Sequence, residues 1–211
     1  MSRHLLLYTF SLLSFLVCSC NDDVEDTGKP KPMLNFIGDS IIEYWRNLGN
    51  HFKDYDCHNY GWSGKGIATF LGRIDASTLA GTECVVEIGT NDIRRVVNNG
   101  NMDAYVAQYI EVLKSLNAKR IYLFSLLPRN RLKDGNFPYN EHYVVFNQTI
   151  MELTQAEMPN VVYVPVFDAF IKDGEINWDY TNDGLHPNQQ GYDVMARELR
   201  KYLVKESSSI Q

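Results

Sequence analysis

Hydrophobic positions along this chain alternate between two rhythms. Short, nearly unbroken apolar runs cover Met33 to Ile37, Glu83 to Ile88, Arg120 to Leu126 and Val161 to Val166, and the more polar Tyr55 to Tyr60 is a further candidate strand. Between them, apolar residues return every three or four positions over Ile41 to Leu48, Phe70 to Leu79, Met102 to Leu116, Tyr139 to Glu157 and Gln189 to Val204. The clearest of these is 102–116, where Ala104, Val106, Ala107, Ile110, Leu113 and Leu116 share one face behind Asn101 as a cap. Pro159 stands beyond the end of the fourth helix and Pro187 opens the last. Strands that are apolar on both faces, separated by helices, predict a parallel sheet covered on both sides: an α/β domain with three α/β/α layers. There is no repeat and no second break in composition after residue 32, so 33–205 reads as one domain and 206–211 as a tail.

The first residues follow a different logic. Arg3 and His4 precede an apolar stretch from Leu5 to Val17, too short to span a bilayer but suited to the core of a signal peptide. The stretch ends in Val17-Cys18-Ser19-Cys20, a small residue before a cysteine, which resembles the bacterial lipoprotein box with Cys20 as the lipidated residue. A plain secretory signal is the alternative. Residues 21–32 carry Asp22, Asp23, Glu25 and Asp26 and then Gly28, Pro30 and Pro32, which cannot bury apolar surface and read as a flexible acidic tether. The expectation is an exported protein, lipid-anchored to the bacterial envelope, in the outer membrane facing the surface or the periplasm.

Composition and charge narrow the search for a function. The 211 residues are 45% hydrophobic and 22% charged, an ordinary globular balance. Twenty Lys and Arg stand against 26 Asp and Glu, a formal charge of −6. An acidic chain without a basic run is a poor nucleic-acid binder, and its contact with a membrane is expected through the lipid anchor alone. Of four cysteines, Cys18 and Cys20 belong to the leader; Cys57 and Cys84 sit at strand edges and are expected to be free thiols. Cysteine and histidine spacings fit no metal site, so no metal is expected.

Polar clusters fall at the carboxyl ends of the predicted strands, where ligand sites of parallel sheets lie. Gly38-Asp39-Ser40 follows the first strand, Asn59 to Gly64 the second, Gly89 to Asp92 the third, and Asp183 to Pro187 precedes the last helix. Each alone is an ordinary turn; together they hold the parts for acyl transfer. A serine hydroxyl needs a base within hydrogen-bond reach, and His186 supplies one. Asp183, three residues earlier, can turn back to fix the imidazole tautomer. An oxyanion needs donors aimed at it: the Ser40 N–H at a strand-to-helix junction, the Gly64 N–H and the Asn91 amide. Asp39 and Asp92 read as hydrogen-bonding supports for these loops.

In its four blocks the chain resembles the SGNH hydrolases of the GDSL esterase/lipase superfamily. They stand in order: Gly-Asp-Ser at Ser40, Asn-x-Gly-x-x-Gly ending at Gly64, Gly-x-Asn-Asp around Asn91, and Asp-x-x-His ending at His186. The resemblance covers about residues 34–200. It implies a flavodoxin-like five-stranded parallel sheet and ester hydrolysis without a cofactor. It further implies catalytic Ser40, Asp183 and His186, with Ser40, Gly64 and Asn91 forming the oxyanion hole. Leu127-Pro128-Arg129 resembles the branch that holds platelet-activating-factor acetylhydrolases and bacterial carbohydrate esterases. Lys65 departs from the Asp many members carry after the second-block glycine, which bears on substrate choice rather than on the triad.

Other constellations fail. The Gly-x-Ser-x-Gly elbow is absent, Gly64-Lys65-Gly66 lacks P-loop spacing, and His51, His58 and His142 stand isolated. Asn147-Gln148-Thr149 matches a glycosylation triplet but lies in a predicted helix. Trp62, Arg94 and Arg129 are candidate substrate-binding residues; Trp45, Arg95 and Arg131 lie near the same strand ends, and packing is the plainer expectation for the tryptophans. Without a long apolar lid, the expected substrate is a small-molecule or glycan ester with a short acyl group, acetate first. A lysophospholipase or thioesterase and an inactive glycan-binding lipoprotein are the alternatives.

Overall fold

The computed structural model describes residues 30–69 and 74–203. The expected signal peptide, Cys20 and all but the last few tether residues lie outside them. Five strands form one sheet: β1 (Met33–Gly38), β2 (Asp56–Gly61), β3 (Glu83–Glu87), β4 (Arg120–Phe124) and β5 (Val161–Val164). Their order is β2-β1-β3-β4-β5 and every pairing is parallel. Helices α1 (Ser40–Glu43), α2 (Leu48–His51), α3 (Ala76–Leu79), α4 (Ile93–Asn98), α5 (Met102–Ser115), α6 (Tyr139–Glu157), α7 (Phe167–Phe170) and α8 (Gln189–Arg200) connect and cover it. A two-stranded antiparallel hairpin, β6 (Ile171–Lys172) with β7 (Glu175–Ile176), precedes the last helix.

Alternation within the apolar strands sorts the core into two layers. Ile37, Val86, Ile121 and Leu123 face a cluster that includes Tyr109 and Leu113 of α5 and Phe146 and Ile150 of α6. Leu34, Phe36, Val85, Tyr122 and Phe124 face the other cluster, with Trp45 and with Met195 and Leu199 of α8. A strand buried on both faces loses the polar alternation of a half-exposed one, which is why the runs read as continuous. The three-layer α/β/α architecture expected from the sequence is present.

Where predicted and observed elements differ, a side chain has usually captured the backbone. The helical spacing from Ile41 to Leu48 predicts one helix, but α1 and α2 are separate turns. The Asn59 amide donates to the carbonyls of Ile42 (2.7 Å) and Trp45 (3.2 Å), taking acceptors that a continuous helix would use. β4 stops at Phe124 rather than Leu126, because Asn147 accepts the Leu126 N–H and donates to its carbonyl. That bond pair also explains Asn147: it is buried in α6 and clamps a loop. β5 stops at Val164, where the Ser125 hydroxyl accepts the N–H groups of Val166 and Phe167 and turns the chain into α7. Of the predicted helix 70–79, residues 70–73 lie outside the described ones, and the described remainder is the single turn α3. Neither α4, α7 nor the β6–β7 hairpin is predicted; each is too short to show a period. Cys57 and Cys84 are free, as expected.

Strand order places the motifs. The chain leaves β1 toward β2 on one side, and β3 lies on the other, so the loops after β1 and β3 diverge and open a crevice between them. Gly38 pairs in register with both Gly61 and Glu87, so the first three motifs leave the sheet at one level.

Candidate active site

Ser40 opens α1 directly at the end of β1, and 6% of its surface is exposed. Asp39 caps that turn, its Oδ1 accepting the Ile41 N–H at 3.0 Å. Gly38 is required by close packing: a Cβ there would lie 2.0 Å from the Glu87 carbonyl oxygen. The sequence points to a helix N-terminus behind the serine, but α1 is a single four-residue turn. Any electrostatic help there comes from individual N–H groups rather than from a long helix dipole.

His186 arrives from the opposite side on the loop before α8. Its Nε2 lies 3.0 Å from Ser40 Oγ, and its Nδ1 lies 2.8 Å from Asp183 Oδ2. A carboxylate only accepts, so Nδ1 carries the hydrogen; in the neutral ring Nε2 then accepts from the serine hydroxyl. The second Asp183 oxygen accepts the backbone N–H groups of Leu185 (2.9 Å) and His186 (2.8 Å). Thr181 ties the loop shut, donating to the His186 carbonyl and accepting the Gly184 N–H. The Tyr44 ring packs 5.1 Å from the imidazole.

Lys133 is a site residue that the sequence does not reveal. Its Nζ lies 2.9 Å from Asp183 Oδ2 and donates to the Asp183 carbonyl at 2.9 Å. Burial opposes the charge on Asp183. Lys133, the His186 and Leu185 N–H groups and the imidazole outweigh that and hold the carboxyl well below the usual carboxylate range. Fifty positions separate the two residues and no periodicity links them, so spacing could not have found the pair.

The three expected oxyanion donors converge unequally. Gly64 adopts φ +74°, a left-handed conformation that favours glycine. Its loop is held by Ser63 N–H donating to Glu43 Oε2 at 2.9 Å and by a 3.2 Å contact between the Tyr44 and Ser63 hydroxyls. Among the described residues, the N–H groups of Ser40 and Gly64 have no acceptor. The Asn91 amide already donates to the Lys65 carbonyl at 2.9 Å and more weakly to Asp39 Oδ2 at 3.3 Å. A third acceptor must displace or share the longer of these bonds.

Asp39 and Asp92 support the loops, as expected. Asp92 accepts the Ile67 N–H, the Tyr105 hydroxyl and an Arg95 nitrogen. Burial first, and then the Asp92 charge, push the Asp39 carboxyl up to about 7 against the pull of the Ile41 N–H and Arg129. Behind it, Glu87 is fully buried with no hydrogen-bond partner for either oxygen among the described residues. Burial and the nearby Asp39 push its carboxyl well above the usual range.

The candidate binding residues separate. Arg94 and Arg129 line one open cleft of about 610 Å³, with Asn91 and Leu185 on its catalytic side. Trp62 does not line that cleft; its ring carries Lys65 Nζ at 4.4 Å. Trp45 is core, 1% exposed, stacked on Tyr192 and donating to His51 Nδ1. His51 bridges Trp45 to Asp193, His58 pairs with Asp56, and His142 stacks on Phe137, so none approaches the site. Arg131 pairs with Glu141.

Comparison with known proteins agrees with this geometry. The model of the GDSL-like Lipase/Acylhydrolase family matches residues 36–194. A Streptococcus pneumonia structure, provisionally named as a platelet activating factor, is 32% identical, with a TM-score of 0.68 over 85% of this chain and 87% of that one. An acetylxylan esterase of Geobacillus stearothermophilus shares the fold at 18% identity, with a TM-score of 0.62 over 82% of this chain and 94% of that one. Among curated proteins, the N-acylneuraminate cytidylyltransferase of Escherichia coli O18:K1:H7 (strain RS218 / NMEC) is 28% identical over 79% of this chain and 39% of its own length. The chain thus spans about two fifths of that relative. A family model covering most of the chain, on a three-layer fold with all four motif blocks at one sheet edge, leads to one conclusion: this protein belongs to the GDSL-like lipase/acylhydrolase family of the SGNH hydrolase superfamily.

Proposed function

We propose that this protein is a carboxylic ester hydrolase that removes short acyl groups, acetate first, from carbohydrate through an acyl-enzyme formed on Ser40. The observation that carries this is the unbroken chain of contacts from Ser40 Oγ to His186 to Asp183, at 3.0 and 2.8 Å. His186 Nε2 takes the hydroxyl proton as Oγ attacks the ester carbonyl carbon, and the carbonyl electron pair moves onto oxygen. The N–H groups of Ser40 and Gly64 and the Asn91 amide stabilise that oxyanion. Its collapse breaks the bond to the alcohol oxygen, which leaves with the proton from His186. Water, deprotonated by the same imidazole, attacks the acyl-serine carbonyl carbon; collapse of that second intermediate breaks the bond to Ser40 Oγ, which takes the proton back from His186 as the acid leaves. Asp183 stabilises the imidazolium and stays ionised throughout.

A polar, arginine-lined cleft beside the serine supports a short acyl group and a hydrophilic alcohol, since a long acyl chain would lie against charge there. Similarity to an acetylxylan esterase and to an N-acylneuraminate cytidylyltransferase supports a carbohydrate substrate. Hydrolysis of p-nitrophenyl acetate, butyrate and palmitate by wild type and Ser40→Ala tests the proposal. Ser40-dependent turnover falling steeply from acetate to palmitate supports it, and preference for palmitate moves the substrate to lipids. For location, the leader pattern and acidic tether support export and lipidation at Cys20. Membrane fractionation of wild type against Cys20→Ala tests this; equal partitioning of the two proteins removes the anchor.

A further inference from the structure

We infer that the alcohol side of the ester carries a carboxylate, held by Arg94 and Arg129 in the cleft between Asn91 and Leu185. This deepens the esterase reading above and rests on it.

The first support is placement. The cleft of about 610 Å³ has Asn91, next to the expected oxyanion position, on one side. Leu185, the neighbour of His186, lines it too. A group bound there lies beside the reacting ester rather than at a remote surface. The second support is charge. Arg94, Arg95 and Arg129 line the cleft and, among the described residues, no Asp or Glu does; Arg95 is paired with Asp92, so the charge rests on Arg94 and Arg129, in a chain that as a whole has six more acidic than basic residues. A concentration of one sign against the net charge of the molecule attracts the opposite sign of substrate and rejects its own.

The third support is that the cleft is built rather than incidental. Arg129 is 6% exposed, its guanidinium sits 4.0 Å over the Tyr139 ring, and its backbone N–H donates to Asn140 Oδ1 at 2.9 Å. A guanidinium held in a fixed plane loses little freedom when it grips a planar carboxylate. Arg94 is exposed and leans on the Phe137 ring at 5.6 Å. Thr90 lines the same cleft; it is 4% exposed, and its hydroxyl has no hydrogen-bond partner among the described residues. A buried hydroxyl left so is costly, and a ligand oxygen would satisfy it. An acidic sugar, a uronate or a related acid, fits these features better than a neutral one.

The test varies charge alone. Wild type, Arg94→Gln and Arg94→Lys are assayed on 3- and 4-acetoxybenzoate, each against its uncharged acetoxybenzamide, with p-nitrophenyl acetate as the general ester. Comparing the acid-to-amide ratio of kcat/KM between proteins cancels the intrinsic reactivity of each compound. The expected result is a ratio about tenfold higher in wild type than in Arg94→Gln for at least one isomer, the size of one charge-assisted contact. Arg94→Lys should recover part of the difference, and 0.5 M salt should shrink it. Equal ratios in wild type and Arg94→Gln, or rejection of both acids by a wild type that cleaves p-nitrophenyl acetate, overturn the inference and leave the esterase reading standing. Failure to cleave p-nitrophenyl acetate removes both.

Discussion

The two halves of the proposed triad are held by different physics. Ser40 belongs to the core: it follows a buried strand, Gly38 packs against the β3 backbone, and Asp39 and Glu87 behind it are fully buried. His186 and Asp183 sit on a surface loop, with side chains 28% and 41% exposed, and are fixed by hydrogen bonds and one lysine. Packing cannot be adjusted by small amounts, so the nucleophile's position is nearly all-or-none. Polar contacts at a half-exposed loop are individually weak and respond to pH and salt. The difference teaches where each perturbation should register: stability on the serine side, pH profile on the histidine side.

Removing either reacting group should erase the distinction. Ser40→Ala and His186→Ala should each lower kcat by ~10³-fold or more, because groups that act as a unit fail together. Near wild-type turnover by either protein would dismantle the triad.

Gly38→Ala tests the packed half. Its new Cβ would meet the Glu87 backbone, which cannot swing aside, so a loss of about 3 kcal/mol in urea unfolding is expected. An unchanged midpoint would show that the sheet edge yields, contrary to the contrast drawn here.

Asp39→Asn adds the pH dependence of that half. The folded carboxyl titrates near 7 and the unfolded one near the ordinary value, 3.8, so the folded state holds the extra proton between them. Stability contributed by this group is therefore present at low pH and lost as pH rises through 7. Asparagine cannot ionise. The variant should gain on wild type between pH 4.5 and 8 by on the order of 2 kcal/mol, read by urea unfolding at both values. A constant offset at all pH would refute the buried charge.

Lys133→Met should produce the smallest change, and on the other half. Without that cation the Asp183 carboxyl moves back toward the ordinary carboxylate range, so activity is lost first at the acid end of the pH–rate profile. A drop of about threefold at pH 6, shrinking toward pH 8, is expected for a partly exposed pair. A uniform drop at every pH would make Lys133 merely a strut.

Much of the site was legible because its parts are local. Turn residues directly after apolar runs can be placed on strand ends without knowing how the strands pair, and Ser40, Gly64 and Asn91 do lie there, while Asp183 with His186 reaches the same edge on the loop before α8. What escaped depends on partners far along the chain. The break at Trp45 needs Asn59, the early stop of β4 needs Asn147, and the depressed Asp183 needs Lys133. Glu87 hid inside an apolar run, since a buried carboxyl without a partner has no pattern of its own. Trp62 and the two arginines looked alike in sequence; only the cleft tells them apart.

The sequence by itself determined the layered α/β architecture, the level at which the motifs leave the sheet and the candidates for the reacting groups. Those follow from periodicity and from which residue types can form turns or transfer protons, and both are short-range properties. Tertiary structure alone decided that Ser40 and His186, 146 positions apart, meet at 3.0 Å, that a lysine stands behind the aspartate and that three arginines share one cleft. Such meetings are set by strand order and by the packing of two core layers, where each contact depends on all the others.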